Sequence, residues 1–192
     1  MDKIKEAVKV LNQGGIVIYP TDTAFGIGCR IDNQSSIKKL FEIKRRPKSQ
    51  AVPVLVSSIG MAKKFLLSPL PDNVRHLMER YWPGALTIVY PCKKNSVPSL
   101  VRGSRENLGV RMPNHKTALS LIEDAGVPIL GPSANFHGGK TPYKYDQLDK
   151  ELVRLVDYVI AGKCKMGNVS TVVDCSTAPW KIIRDGAVKI KL

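Results

Sequence analysis

Lys44 and Arg46 stand one residue apart, and Ser133 and Asn135 repeat that spacing far downstream. A compact ammonium beside a forked guanidinium makes a two-pronged grip for phosphate or carboxylate oxygens. Ser133 and Asn135 sit between Gly131-Pro132 and Gly138-Gly139. Backbone N–H groups in such a glycine-rich turn can cradle an anion while the two side chains add hydrogen bonds. A third cluster, Thr21-Asp22-Thr23, follows Ile16-Val17-Ile18-Tyr19-Pro20. It places two hydroxyls and a carboxylate at the carboxyl end of a strand, where open α/β sheets bind ligands. Arg111 in GVRMP, Ser170 in VSTVVD and Arg184 in IIRDG each lie at the edge of a strand-like segment. All of these have a plainer reading. Basic residues at a helix C-terminus complement its dipole, and Thr-Asp-Thr can close an ordinary turn through side-chain hydrogen bonds. The stretch ANFHGGKT, from Ala134 to Thr141, comes close to a P-loop. Pro142 argues against it, because it drives Thr141 out of the helical geometry that motif requires.

The charge balance suits anion chemistry without choosing its target. Against 16 acidic residues stand 30 basic ones, a net charge of +14. Nucleotides, RNA and acidic surfaces all fit such a chain, as does a lysine-rich coat that serves solubility. Cys29, Cys92, Cys164 and Cys175 show no C-x-x-C pairing and read as separate reduced thiols rather than a zinc site or disulfide framework. His76, His115 and His137 are scattered, and no metal-ligand or nucleophilic triad pattern appears. No apolar run nears the roughly 20 residues that span a bilayer, and the N-terminus lacks the apolar core of a signal peptide. A cytoplasmic protein without membrane attachment is expected.

These groups need a scaffold. Apolar spacing predicts helices over 2–13, over 37–45 with Ser35 or Ser36 as cap, and over 59–67, 72–81, 115–124 and 146–153. Strands are expected at 16–19, 52–56, 86–90, 108–112, 127–130, 158–161, 171–174, 181–183 and 188–190, with a basic loop or flap at 93–107. Alternating strands and helices indicate an α/β protein, and the late crowding of strands indicates a mixed parallel and antiparallel twisted sheet flanked by helices. With 192 residues and 43% hydrophobic content, one domain over 1–192 is the expectation.

Taken in order, YPTDTAFGIG, KRRP, VPVLV, YWPG, VRMP, PSAN, STVVD and IIRDG resemble the YrdC-type threonylcarbamoyl-AMP synthase family in its short, single-domain form. The resemblance runs from about Lys9 to Val188 and centres on K-x-R with a distant S-x-N. It implies a YrdC-like fold with a large basic concave cavity. The implied activity joins L-threonine, bicarbonate and ATP into threonylcarbamoyl-adenylate and pyrophosphate, for the t6A modification of tRNA by a downstream threonylcarbamoyl transferase complex. Mg²⁺ would accompany the ATP. The resemblance assigns Thr23, Arg111, Gly131 and Ser170 to threonine. To ATP it assigns Lys44, Arg46, Gln50, Asn107, Ser133, Asn135, Thr141 and Arg184, with Lys44 and Arg46 the catalytic pair. Four positions depart from the family's usual residues: Asp22 for Glu, Arg45 for Gly, Ala51 for Pro, and Leu55 where some members have a histidine. A rival reading on the same fold is a non-catalytic protein that binds double-stranded RNA or tRNA. A third is a carbamoyl-transfer role like that of the related domain in hydrogenase-maturation proteins.

Overall fold

The computed structural model describes residues 2–190. The chain opens with α1 (Lys3–Asn12), whose first turn is capped by Asp2 accepting from the Ile4 N–H at 3.0 Å. Ala7 and Leu11 form its buried stripe, and Gly14, at φ +84°, turns the chain out of the helix. Next come β1 (Val17–Pro20), β2 (Phe25–Gly28), α2 (Gln34–Ile43), β3 (Val54–Leu55), α3 (Ile59–Phe65), α4 (Asp72–Tyr81) and β4 (Leu86–Pro91). The second half holds α5 (Ser99–Arg102), β5 (Asn107–Arg111), α6 (Lys116–Ala125), β6 (Ile129–Leu130), α7 (Lys150–Arg154), β7 (Tyr158–Val159), β8 (Thr171–Asp174) and β9 (Lys181–Arg184).

Two mixed sheets result. The smaller runs β2-β1-β7, with β1 antiparallel to β2 and parallel to β7. The larger runs β6-β3-β5-β4-β8-β9, in which β3–β5 and β4–β8 are parallel pairs and the rest antiparallel. β4 lies between β5 and β8, so Leu86 and Ile88 are fully buried. Helices α1 and α6 pack together over β1 through Leu11, Val17, Leu121 and Ile122.

The strand β2 was not expected, because Phe25-Gly26-Ile27-Gly28 carries two glycines and glycine weakens a strand. Neighbours explain both glycines. A Cβ at Gly26 would sit 2.9 Å from the Tyr19 ring, and one at Gly28 only 1.9 Å from the Leu130 carbonyl oxygen. Along its far edge β2 bonds to the segment that carries Ser133: Ile27 N–H to Pro132 O at 3.0 Å, and Ala134 N–H to Phe25 O at 2.8 Å. Tyr19 reaches across the same join, its hydroxyl donating to Leu130 O at 2.7 Å. Glycine here lets two backbones meet.

Other boundaries shift for local reasons. Asn33, not Ser35 or Ser36, caps α2, its Oδ1 accepting from the Ser36 N–H at 3.0 Å. The helix expected over 146–153 is a short 3₁₀ turn at Tyr145–Gln147 followed by α7, which starts afresh because Asp149 caps the Glu151 and Leu152 N–H groups. The flap at 93–107 contains α5, entered through Pro98 and ended by Gly103 at φ +57°. Residues 188–190, expected as a strand, form none among the described residues; Val188 is tied instead to the Thr171 hydroxyl, which donates to Val188 O at 2.6 Å and accepts from its N–H at 3.1 Å.

Gly28→Ala should lower the unfolding free energy by about 2–3 kcal/mol, the scale of forced overpacking against backbone. Gly60→Ala in α3, where a Cβ meets only the Ser58 hydroxyl at 3.7 Å, should leave stability unchanged or raise it. Urea unfolding of the two variants checks the contrast.

Candidate active site

β1 and β2 form a hairpin, with Pro20 opposite Phe25. Thr21-Asp22-Thr23-Ala24 is therefore its loop, and all four residues are buried. The Thr21 hydroxyl stitches the loop shut by donating to Ala24 O at 2.7 Å while accepting from the Ala24 N–H at 3.2 Å. Arg111, the last residue of β5, lies against this loop and is 6% exposed. Its Nη2 donates to Asp22 Oδ1 at 2.5 Å, its Nη1 to Thr23 Oγ1 at 2.7 Å and its Nε to Gly84 O at 3.0 Å. A guanidinium has five N–H groups, so two remain for a ligand. Burial presses the Arg111 pKa down and Asp22 holds it up. The second Asp22 oxygen, Oδ2, has no partner among the described residues.

At the other side α2 ends in a Schellman motif. Lys44 is its C-cap and Arg45 follows at φ +53°. The Arg45 N–H returns to Glu42 O and the Arg46 N–H to Phe41 O, both at 2.9 Å. This turn sends Lys44 inward. Its ammonium donates to Ser133 O at 2.6 Å and Asn135 O at 2.5 Å, beneath the PSAN loop. Arg46 runs the other way along the surface, fixed by Gln50 O at 3.1 Å and Ala51 O at 2.6 Å. Asn135 accepts from the Ser133 hydroxyl at 2.5 Å and donates to Phe136 O and Gly139 O, which folds the loop on itself.

The third wall comes from β8 and β9. Arg184 donates through Nε to Ser170 O at 3.0 Å and through Nη2 to Ser170 Oγ at 2.9 Å. That hydroxyl also meets Thr87 Oγ1 at 2.9 Å. Burial, and then the charge of Arg111, lower the Arg184 pKa.

Between these walls lies one cavity. Of the residues singled out from sequence, Thr23, Arg46, Arg111, Gly131, Ser133, Thr141, Ser170 and Arg184 line it. Lys44 and Asn135 lie behind the lining and act on it through the loop. Gln50 and Asn107 are not brought to it: Gln50 offers only its carbonyl, to Arg46, and Asn107 pairs with Pro91 at the start of β5. The Gly131 N–H is already spent on Pro53 O at 2.9 Å, so only its carbonyl and open face remain. Leu55 fills the space beside it, where a Cβ on residue 131 would come within 2.5 Å of Leu55 Cγ. Thr21, noted only within the Thr-Asp-Thr cluster, also lines the cavity, as does Thr87, which sequence reasoning passed over. Thr87 could have been noticed as the one aliphatic hydroxyl in the run LTIVY.

A family model for Sua5, YciO and YrdC proteins, described as telomere recombination, matches residues 9–186. The chain belongs to this family. A Bacillus subtilis protein named threonylcarbamoyl-AMP synthase is 34% identical over 187 residues, covering 97% of this chain and 54% of that protein. A Pyrococcus abyssi protein of the same name is 32% identical, covering 98% and 55%. The chain thus spans about half the length of these two curated relatives. Among solved structures, P. abyssi Sua5 complexed with L-threonine superposes with a TM-score of 0.91 at 31% identity, covering 95% of this chain and 54% of that one. Escherichia coli YciO gives 0.87 at 25% identity, covering 98% and 91%.

In this Sua5/YciO/YrdC chain the K-x-R lysine is unusually placed. Lys44 is 2% exposed. Burial, and then the nearby Arg46 charge, push its pKa down to about 7. Its two carbonyl partners survive deprotonation, since a neutral amine still carries two N–H groups. From about pH 7 to the ordinary lysine value the unfolded chain holds this proton more firmly than the folded one, so stability contributed at Lys44 rises with pH across that window. Lys44→Met should abolish the rise. Relative to that variant, wild-type stability should climb between pH 7 and 9 by at most about 1.4 kcal/mol per pH unit, measured by denaturant unfolding.

Proposed function

We propose that this chain makes threonylcarbamoyl-adenylate and pyrophosphate from L-threonine, bicarbonate and ATP. The observation that carries the reading is one cavity with a guanidinium fork, Arg111, at one wall and Arg46, Ser133, Thr141 and Arg184 around the others. The names of the relatives, and the threonine bound by P. abyssi Sua5, support it.

Arg111 suits the threonine carboxylate, because its two unspent N–H groups can hold both oxygens at once. Asp22 and Thr23 fix the fork in place, and Ser170 and Thr21 supply hydroxyls for the polar side of the amino acid. Threonine's amine adds to bicarbonate with loss of water, giving a carbamate. A carbamate oxygen then bonds to the α-phosphorus of ATP, the bond to the β-phosphate oxygen breaks, and pyrophosphate leaves with that electron pair. Both reactants are anions. Arg46, Arg111 and Arg184 offset their repulsion and stabilise the charge that grows on the phosphate oxygens, and holding the two in line supplies the rest. The enclosed space is about 160 Å³. That is below the roughly 300 Å³ of sites that engulf drug-sized ligands, so the outer part of the nucleotide must extend beyond it.

Mg²⁺ would enter as a companion of the triphosphate, held by its phosphate oxygens, with the hydroxyls of Ser133 and Thr141 as the neutral oxygens the lining offers. The lining offers hydroxyls and no carboxylate, and among the described residues no group of three or more His, Cys, Asp or Glu gathers to hold a metal. Bound there, the ion would supply charge neutralisation on the phosphates. The product is a mixed anhydride, suited to acylate an adenosine of tRNA on a downstream transferase. An RNA-binding role without catalysis is not favoured, because Arg46, Arg111, Ser133, Ser170 and Arg184 gather around one cavity.

Purified protein given threonine, bicarbonate, ATP and Mg²⁺ should release pyrophosphate only when threonine is present; threonine-independent release, or none, overturns the proposal. Arg111→Lys, which loses the fork, should raise the KM for threonine about 10- to 100-fold, the worth of a charged hydrogen bond. Lys38→Ala, on the exposed face of α2, should stay near wild type.

A further inference from the structure

Arg45 occupies a backbone conformation that favours glycine. At φ +53° it is one of two non-glycine residues among those described with positive φ, and an L side chain there is strained. Two contacts explain why a long cationic side chain stands in this place. Its guanidinium carbon lies 4.3 Å above the centre of the Phe136 ring. Its Nη2 bonds Glu151 Oε1 of α7 at 2.6 Å. Beside it, the Lys44 carbonyl accepts from the His137 N–H at 2.8 Å, and the Lys44 ammonium reaches Ser133 O and Asn135 O. Both partners of the ion pair are more than half exposed, so the pair alone contributes little. The stack is different, because it lands on the loop that carries Ser133 and Asn135.

We infer that Arg45 is a positioning residue which, by stacking on Phe136, clamps the 133–139 loop to the end of α2 and so keeps Ser133 aligned with Arg46 for the phosphates of a nucleotide. The alignment of Ser133 and Arg46 on phosphate rests on the function proposed above; the clamp itself does not. Without it the loop's ties to the helix end are the two Lys44 bonds and the His137 N–H. Arg45 also lines, with Arg46, Lys38 and Lys48, a groove on the outer side of α2. Its charge could therefore act directly on an anion, and the test must separate that from the clamp.

Phe136→Leu does so, because it removes the stack and leaves every cation in place. Amide hydrogen exchange at His137 should quicken in Arg45→Ala and in Phe136→Leu by roughly two- to fivefold, the factor that an exposed cation–π contact corresponds to. The double variant should be no faster than either single one. Arg45→Gly should show the same faster exchange without a lower unfolding midpoint, since glycine suits this φ. In pyrophosphate release, Arg45→Ala and Phe136→Leu should raise the KM for ATP by a similar factor, with the KM for threonine unchanged. Arg45→Lys, which keeps the charge but not the planar face, should recover only part of the loss. Unchanged exchange at His137 overturns the clamp. Faster exchange with an unchanged KM for ATP overturns the positioning role. A wild type that releases no pyrophosphate sinks the function instead, and the exchange measurements still decide the clamp.

Discussion

Four cations converge on one region of this molecule, and a single buried carboxylate, Asp22, answers them. The remainder of the compensation comes from backbone carbonyls. Lys44 is held by Ser133 O and Asn135 O, Arg46 by Gln50 O and Ala51 O, Arg111 by Gly84 O and Arg184 by Ser170 O. A carbonyl solvates a cation with its dipole without cancelling its charge. The cavity therefore stays positive while its cations stay hydrogen-bonded, which a ring of carboxylates could not achieve. Net charges buried this way are costly unless every donor finds a partner, and this requirement explains much of the surrounding chain. The loop after Trp82 exists to turn Gly84 O toward Arg111. The loop at 50–51 does the same for Arg46.

Such a scheme demands that loops from distant parts of the sequence be fixed relative to one another. The fixing element is β2. On one edge it pairs with β1 and so carries the Thr21–Ala24 loop; on the other it bonds to Pro132 and Ala134 and so carries Ser133. Gly26 and Gly28 permit that double pairing by letting Tyr19 and Leu130 come close. The same strand thus sets the distance between the Arg111 wall and the Ser133 wall. Rigidity at this join is what a reaction between two small anions needs, because in-line placement accounts for a large share of the rate.

The sequence was informative where chemistry is carried by side-chain type and order. Arg46, Arg111, Ser133, Ser170 and Arg184 could be picked out as a set because their short motifs recur in a fixed succession, and the structure brings them to one cavity. It was misleading where backbone does the work. Gln50 was assigned to ATP by the resemblance, and its carbonyl also accepts from Arg46, a contact that no side-chain pattern announces. Lys44 was read as a point charge at a helix C-terminus, and its burial comes from the αL turn at Arg45, which sends it inward. Phe25-Gly26-Ile27-Gly28 was not read as a strand because no local pattern records that Tyr19 and Leu130 will occupy the glycines' empty sides. Carbonyl directions and close backbone approaches are tertiary facts, and single-sequence patterns of polarity do not encode them.

A cavity compensated by dipoles is also self-repelling. Arg184 is disfavoured by Arg111, and Lys44 by Arg46, in the absence of an anion. An anionic ligand held between Arg111 and Arg184, which both line the cavity, would relieve the repulsion between them. Its binding energy then has two parts: the direct contacts, and the removal of strain already present among the cations. The second part is absent for a neutral molecule of the same shape. A charged occupant is therefore selected by the empty protein's own electrostatics, before any detail of hydrogen bonding to threonine or phosphate comes into play.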